Sequence, residues 1–505
     1  MTIRKTLQWM VLTLVLPVHL ARAGAQGPAA GASLLIRNGE VLDGTGSPAR
    51  RVDIRVAGDS IVDMAPALQP KPDDRVIDAG GKTVAPGFID MHSHADRGID
   101  KTPDAESQVL QGITTAVVGQ DGGGELPISN FYENIGHYHP SINFATAVGH
   151  GMVRSVVMGG DFRRPATPAE IEIMKALVDR AMKDGAIGLS SGLEYDPGHD
   201  SKTEELIALA KVVAPYRGLY SSHVRDENEG AFDAWREAIE IGRQARIPVE
   251  ISHIKLAVTP VWGKAAEGLK ILEDANREGL QVMADWYPYT FWHSSIYVLI
   301  STRDFENRAE WQKGLEQIGG AQNVIVTDYR PDPSYNGKNI AQIAQMRATD
   351  PVRLIIEMIH EAGPGVGIMA VSMDEKDLTT FVAHPQVLIC SDGSLSGRHP
   401  RGYGAFPRVL ARYVRDLNVI SLPEAIAKMT GRSARQLGFV DRGSIAVGKK
   451  ADLVIFDPAT IQDRGTIENA AQSPAGIRYV IVNGQVVLDD GRMTNARPGR
   501  GLRRQ

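Results

Sequence analysis

The sequence predicts an α/β protein: a (β/α)8 TIM-like barrel, a small β-sandwich formed from the N- and C-terminal segments, and an insertion between barrel strands 7 and 8. Three observations predict it. Between residues 85 and 438 apolar runs alternate with helical patterns, which calls for parallel strands joined by crossover helices. Nearly every run closes on a histidine, aspartate or serine, and in such a barrel the C-terminal strand ends line the functional rim. Both ends of the chain instead read as short strands separated by Gly- and Asn-containing turns. A chain of 505 residues, 43% of them hydrophobic, exceeds one ordinary domain and suits a large barrel with an accessory unit.

In chain order, residues 1–23 predict a signal peptide: Arg4 and Lys5, an apolar stretch over 9–20, then the small-residue pattern Ala21-Arg22-Ala23. The apolar run is short for a stable membrane span, so the expectation is an exported protein, periplasmic or secreted, cleaved near Ala23. Cleavage would remove Arg4, Lys5 and Arg22 and no acidic residue, taking the formal net charge from −5 to −8. No basic stripe invites nucleic acid. The single cysteine, Cys390, excludes an internal disulfide. Residues 24–32 read as a small-residue linker and 33–84 as the first part of the sandwich, with Asn38-Gly39, Gly58-Asp59 and Gly80-Gly81 as turns. Residues 439–505 carry the second part and a tail.

The barrel spans 85–438. After the strand ending at His92, similar runs end at Asp121, His150, Ser190, His223, His253, Asp285 and Asp392, making eight. Thr167-Pro168-Ala169-Glu170 and Ser201-Lys202-Thr203-Glu204 predict capping boxes at helix starts. Residues 287–386 are too long for a simple connection and predict an ordered insertion, or lid, with helices near 340–346 and 351–361.

His92-Ser93-His94 is the most informative triplet, because strand side chains alternate and both imidazoles share one face. With Asp121, His223, His253 and Asp392 it assembles four imidazoles and two carboxylates on one rim, a donor set for one or two divalent metals, Zn2+ foremost. A second such triplet, His137-Tyr138-His139, follows a polar helical stretch and precedes Pro140; it reads as surface.

Taken in order, several segments resemble the amidohydrolase superfamily and, within it, the D-aminoacylases or N-acyl-D-amino-acid deacylases. They include Pro86-Gly87-Phe88-Ile89-Asp90-Met91-His92-Ser93-His94, Gln111-Gly112-Ile113-Thr114-Thr115 and Ser222-His223-Val224-Arg225-Asp226-Glu227. Ile251-Ser252-His253-Ile254-Lys255, Ser391-Asp392-Gly393 and His399-Pro400-Arg401 extend the match. The resemblance implies His92, His94, His223 and His253 as metal ligands, and Asp392 as a metal-binding carboxylate or the catalytic base. It also implies Lys255, Tyr287 and Arg401, with Arg225 as a further candidate, for a substrate carboxylate. In the reaction below, His150 or a backbone N–H would help the metal stabilise the oxyanion.

One departure stands out. These deacylases place a cysteine ligand after the second strand, whereas this chain has Gly119-Gln120-Asp121-Gly122. Nor does the stretch after the fourth strand, 185–198, hold the lysine that many amidohydrolases carboxylate. Asp121 is therefore the expected bridging or inner ligand, with Glu194 the alternative. A carboxylate is harder than a thiolate, which moves preference toward Mn2+ or another harder ion.

The implied reaction is hydrolysis of N-acyl-D-amino acids by metal-activated water. Dipeptides, cyclic amides or aryl amides of amino acids are the alternative substrates, and a barrel that binds a ligand without turnover is the alternative of another class. The aromatic group Trp286, Tyr287, Tyr289, Phe291 and Trp292 either lines the acyl pocket or packs the insertion.

Overall fold

The computed structural model describes residues 33–504; the signal peptide and linker expected over 1–32 lie outside the described residues. The two ends of the chain meet in one seven-stranded sheet. In it Thr83–Pro86 pairs antiparallel with Leu453–Phe456, Ala85 opposite Val454, so a strand from the first hundred residues is completed by one from the last sixty. A four-stranded sheet of Leu34–Arg37, Asp53–Ala57, Ser60–Ala65 and Arg75–Asp78 lies against it. Ile36, Ile54, Val56, Val84, Leu453 and Ile455 form the separate apolar core between them. The hairpin Ile477–Val482 to Gln485–Asp489 turns at Asn483-Gly484, both with positive φ, as a two-residue primed turn requires. A Cβ on Gly484 would also meet the Gly58 carbonyl.

Eight strands, numbered here in chain order, carry the rest: β1 Phe88–Asp90, β2 Ile113–Val118, β3 Asn143–Thr146 prolonged by Val148–Gly149, β4 Gly188–Gly192, β5 Leu219–His223, β6 Val249–Ile251, β7 Val282–Trp286 and β8 Val387–Ile389. Every pairing is parallel. The order runs β1-β2-β3 in one sheet, and Val148–Gly149 continues through β4 to β8 in a second. Hydrogen bonds join both edges: Ile187 N–H donates to Thr146 O at 2.9 Å, Asp392 N–H to His92 O at 2.8 Å and His94 N–H to Gly393 O at 2.9 Å. The strands are almost wholly buried, as expected of parallel strands covered by helices.

The predicted capping box at Thr167 forms, with Pro168 opening the helix Pro168–Lys183. The one predicted at Ser201 does not. The helix there is Thr203–Val213 and its N-cap Lys202 accepts no side-chain bond; Ser201 Oγ instead donates to Gly198 O at 2.6 Å, tying down the loop before the helix. Between β7 and β8 the chain builds an antiparallel sheet of Trp292–Ser295, Gly367–Ala370 and Val324–Asp328 and the helices Arg308–Gln317, Ile340–Met346 and Pro351–Ala362. Trp311, Ile340, Leu354 and Ile368 are buried here, in an apolar core continuous with that of the parallel strands. Among the described residues no helix is long and apolar enough to cross a membrane.

Candidate metal centre

The ends of β1, β2, β5, β6 and β8 bring their metal-ligating side chains together. His92 and His94 follow β1, with Ser93 between them turned away, and His223 closes β5. Asp121, His253 and Asp392 follow β2, β6 and β8 in the left-handed region, at φ 55°, 35° and 48°. Non-glycine residues occupy that region at a cost and cluster where function demands it. The turn carrying Asp121 is anchored from three strands: Ser190 Oγ donates to Gly119 O at 2.5 Å, Gln120 Nε2 to Met91 O at 3.2 Å, and Ser221 Oγ to Gln120 Oε1 at 3.1 Å. It also needs Gly149, where a Cβ would strike the carbonyls of Gly122 and Gly123.

Asp121 is the hub. Its Oδ1 lies 3.3 Å from His92 Nε2, 3.4 Å from His253 Nε2 and 3.9 Å from His223 Nδ1, while Oδ2 lies 3.2 Å from His94 Nε2. Asp392 Oδ1 closes the other side, 3.3 Å from His94 Nε2 and 3.7 Å from His92 Nε2. Two donor groups result, His92/His94/Asp121/Asp392 and Asp121/His223/His253, with Asp121 common to both. Glu194, the alternative to Asp121, reaches only His223 Nε2, at 2.9 Å, and belongs to an outer group with Glu227.

The donor set fits a divalent ion. His92 Nδ1 and Nε2 and Asp121 Oδ1 are buried without a hydrogen-bond partner among the described residues, although ring nitrogens and carboxylate oxygens crowd within 4 Å. Such atoms carry a desolvation cost unless something else binds them. Burial would by itself raise the Asp121 carboxyl, but His92, His253 and His94 outweigh it and hold it well below the usual range. Burial acts likewise on Asp392 and is overcome by Arg401 and His253. These neighbours favour the ionised carboxylate, the form that ligates metal.

A cleft of about 510 Å³ opens above this cluster. Lys255, Tyr287 and Arg401 line it. Arg401 Nη1 bonds Asp392 Oδ2 at 2.7 Å, and its guanidinium lies 4.9 Å over the Tyr287 ring; its buried Nε has no partner among the described residues. Lys255 is buried. Its Nζ lies 2.6 Å from Glu227 Oε1 and 2.7 Å from His253 Nδ1. Among the described residues the Tyr287 hydroxyl has only Met373 Sδ as a partner, at 4.0 Å.

His150 and Arg225, the two other residues expected at the substrate, do not line the cleft. His150 starts the helix after β3 and turns behind the strands to Glu205 at 2.8 Å, beside Arg154. Arg225 is drawn outward by two bonds of 2.9 Å to Glu237 and one of 2.8 Å to His199 O. Of the aromatic group, Tyr287 and Trp292 line the cleft, whereas Trp286 packs on Tyr413, and Tyr289 and Phe291 pack on His399. His137 and His139 are exposed at the end of their helix. Sequence reasoning misses two residues in close contact with the cluster: Tyr195, whose ring centroid is 4.2 Å from that of His223, and Glu227. The spacing of Glu227, four residues beyond His223 in an already informative segment, is the available signal.

A model of the amidohydrolase family matches residues 75–318 and 332–488. The chain is 34% identical over 496 residues to the D-aminoacylase of Alcaligenes xylosoxydans xylosoxydans, covering 93% of this chain and 97% of that protein. It is 34% identical over 495 residues to the N-acyl-D-glutamate deacylase of the same organism, covering 93% and 96%. Among solved structures, the N-acyl-D-glutamate deacylase of Bordetella bronchiseptica, complexed with zinc and a phosphonate mimic of the tetrahedral intermediate, superposes with a TM-score of 0.83 at 33% identity, covering 93% of this chain and 99% of that one.

Proposed function

The chain belongs to the amidohydrolase family, and from that premise we propose that it is a metal-dependent hydrolase that cleaves N-acyl-D-amino acids to a carboxylic acid and a D-amino acid. The observation that carries this reading is the convergence of four imidazoles and Asp392 on the carboxylate of Asp121. His92, His94, Asp121, His223, His253 and Asp392 would hold one or two divalent ions, Zn2+ foremost. When bound, such an ion polarises the amide carbonyl as a Lewis acid and brings the pKa of water down to about 7.

The protein's own groups do the rest. Asp392 Oδ1, facing the histidines, takes the proton of the attacking water and passes it to the leaving nitrogen, so the acyl carbon gains hydroxyl as the C–N bond breaks. Asp392 Oδ2 is meanwhile oriented by Arg401. Arg401 Nε, Lys255 Nζ and the Tyr287 hydroxyl offer donors to the substrate α-carboxylate in the same cleft as Asp121 and Asp392. A planar guanidinium suits that carboxylate.

The decisive experiment measures bound metal and assays paired D and L N-acyl amino acids beside dipeptides. Metal-dependent turnover of the D substrates is expected. Preference for dipeptides would move the assignment to the alternative amides, and protein that neither retains nor regains metal would leave a binding barrel. We further read the parallel strands as one closed (β/α)8 barrel over 85–438, with 287–386 as its lid and with 33–84 and 439–505 forming the sandwich. Residues 1–23 we read as an export signal; fractionation with N-terminal sequencing of the mature chain tests that, and a retained Met1 would refute it.

A further inference from the structure

Away from the metal centre, the C-terminal tail is wedged into the parallel strands. Phe144 of β3, paired on one edge with Ala116 of β2, takes Gly501 on the other. Phe144 N–H donates to Arg500 O at 2.9 Å, Leu502 N–H to Phe144 O at 2.6 Å and the Tyr132 hydroxyl to Leu502 O at 2.9 Å. Position 501 needs glycine, since a Cβ there would strike the Tyr132 ring. The next residues run past Asp184 and Ile187, which precede β4, so the tail lies toward the strand starts and the metal ligands at the strand ends.

Between this tail and residues 438–442 lies a second cleft, of about 330 Å³. Arg442, Lys450, Arg500, Arg503 and Arg504 line it with one acid, Asp441. Arg442 is met by Asp441 and by Asp452. Lys450 Nζ, at 2.8 Å, and Arg500 Nη1, at 3.1 Å, share one oxygen, Oδ2 of Asp59. Arg503 and Arg504 reach no carboxylate among the described residues. Each uses only Nη1: Arg503 on Asp184 O at 2.7 Å, Arg504 on Leu437 O at 2.9 Å and Ile187 O at 3.5 Å. Asp184 and Leu437 stand at helix C-termini, which carry about half a negative charge. Each guanidinium therefore keeps much of its charge and two of its donor nitrogens unspent. Burial and the neighbouring Arg217 press the Arg504 guanidinium below its ordinary value. Three carboxylates, Asp59, Asp441 and Asp452, thus serve five cations, in a chain whose net charge is −5.

A guanidinium fork holds a carboxylate or a phosphate through two parallel N–H bonds. Cations that approach one cleft from separate segments suit the tetrahedral oxygens of phosphate better than the planar pair of a carboxylate. We propose that this cleft is an anion site that takes a phosphate-bearing ligand on Arg503 and Arg504, with Lys450 and Arg500 at its edge. Free phosphates and phospholipid headgroups share that chemistry. Bound there, the anion ties the tail to the loop after the helix Gly431–Leu437 and holds the wedge in place. The site is separate from the metal centre and takes no part in hydrolysis.

The test titrates inorganic phosphate into the metal-loaded full chain at constant ionic strength, by calorimetry and by Tm, for wild type, R503Q/R504Q and V440E. Val440 lines the cleft and is 69% exposed, so V440E brings a carboxylate to the site while removing little packing. Wild type is expected to bind saturably, R503Q/R504Q about 10- to 100-fold more weakly and V440E about 3-fold more weakly. Phosphate should raise Tm of wild type more than that of either variant. Equal affinity in all three proteins overturns the proposal, because phosphate held at the metal centre would ignore both changes. Should R503Q/R504Q fail to fold, V440E decides, with a loss below about 2-fold counting against the site. Sedimentation with vesicles of phosphatidylglycerol or of phosphatidylcholine identifies the source. Binding to the former alone, weakened in V440E, points to a lipid headgroup; saturable phosphate binding without vesicle binding points to a free anion. Wild type that binds neither phosphate nor vesicles refutes the site.

Discussion

Replacing Asp392 by asparagine tests the reaction at its proton-transfer step. The substitution keeps size and one acceptor oxygen, so Arg401, 2.7 Å from Oδ2, retains a neutral partner, but the amide cannot take a proton from water. A positioned general base contributes about 10²- to 10⁴-fold, so kcat is expected to fall by about 10³, or roughly 4 kcal/mol of transition-state stabilisation. KM should move little, because Lys255 and Tyr287 are untouched and Arg401 gives up a competing carboxylate. Metal should be lost preferentially from the His92/His94 side, where Asp392 is a donor, while Asp121, His223 and His253 retain theirs. The buried guanidinium loses its counter-charge, and removing one partner of a buried ion pair costs up to about 3–5 kcal/mol, so unfolding in urea must be followed alongside. The assay is steady-state kinetics on an N-acetyl-D-amino acid with metal counted per chain. A kcat within tenfold of wild type in folded, metal-containing D392N would remove Asp392 from proton transfer.

Asp121→Ala should lower metal content in both halves and abolish turnover; unchanged metal with full activity would shift the shared-ligand role to Glu194. Asp121→Cys should raise the preference for zinc over manganese, because a thiolate is the softer donor; competition of the two ions for stripped protein reads this, and an unchanged ratio would count against Asp121 as a ligand. Tyr287→Phe removes one uncommitted hydroxyl and should raise KM by about 2- to 12-fold, the equivalent of one hydrogen bond, with kcat little changed; equal KM values would take Tyr287 out of carboxylate binding. Glu205→Gln probes acid stability: the Glu205 carboxyl, which burial alone would raise, is held below its ordinary value of 4.5 by His150 and Arg154. Its stabilisation is therefore fully present above pH 4.5 and is lost as pH falls through the depressed folded value. The variant should be less stable by about 3 kcal/mol at pH 7, with the gap to wild type narrowing as pH drops below 4.5. Parallel urea curves with a constant gap at both pH values would refute the assignment.

How far each residue is legible in the sequence follows from what positions it. A polar side chain closing an apolar run in an α/β alternation is placed by its own strand, so the chain's pattern alone marks His92, His223, His253 and Asp392 as rim residues. Asp121 is legible for the same reason, though its central place among the four imidazoles depends on a left-handed turn that periodicity cannot reveal. His150 and Arg225 sit at equally good strand-end positions and yet turn away, because helices arriving later in the chain bring Glu205 and Glu237 to meet them. A lone basic group at a strand end goes wherever the nearest buried carboxylate lies, and that partner is set by tertiary packing. The same logic explains Glu227, which no strand pattern marks: only when Lys255 and His253 are in place does its carboxylate acquire two donors and a fixed direction. Substituting a carboxylate at position 121 then has a structural consequence. A thiolate offers one sulfur to the centre, whereas Asp121 offers Oδ2 to the His94 side and Oδ1 to His92, His223 and His253. A side chain with two separate donor atoms can serve both halves at once, so occupancy of the two positions should be coupled through its orientation. Binding of both ions ought therefore to weaken together in D121A, and loss of affinity confined to one position would show that the carboxylate serves one half alone.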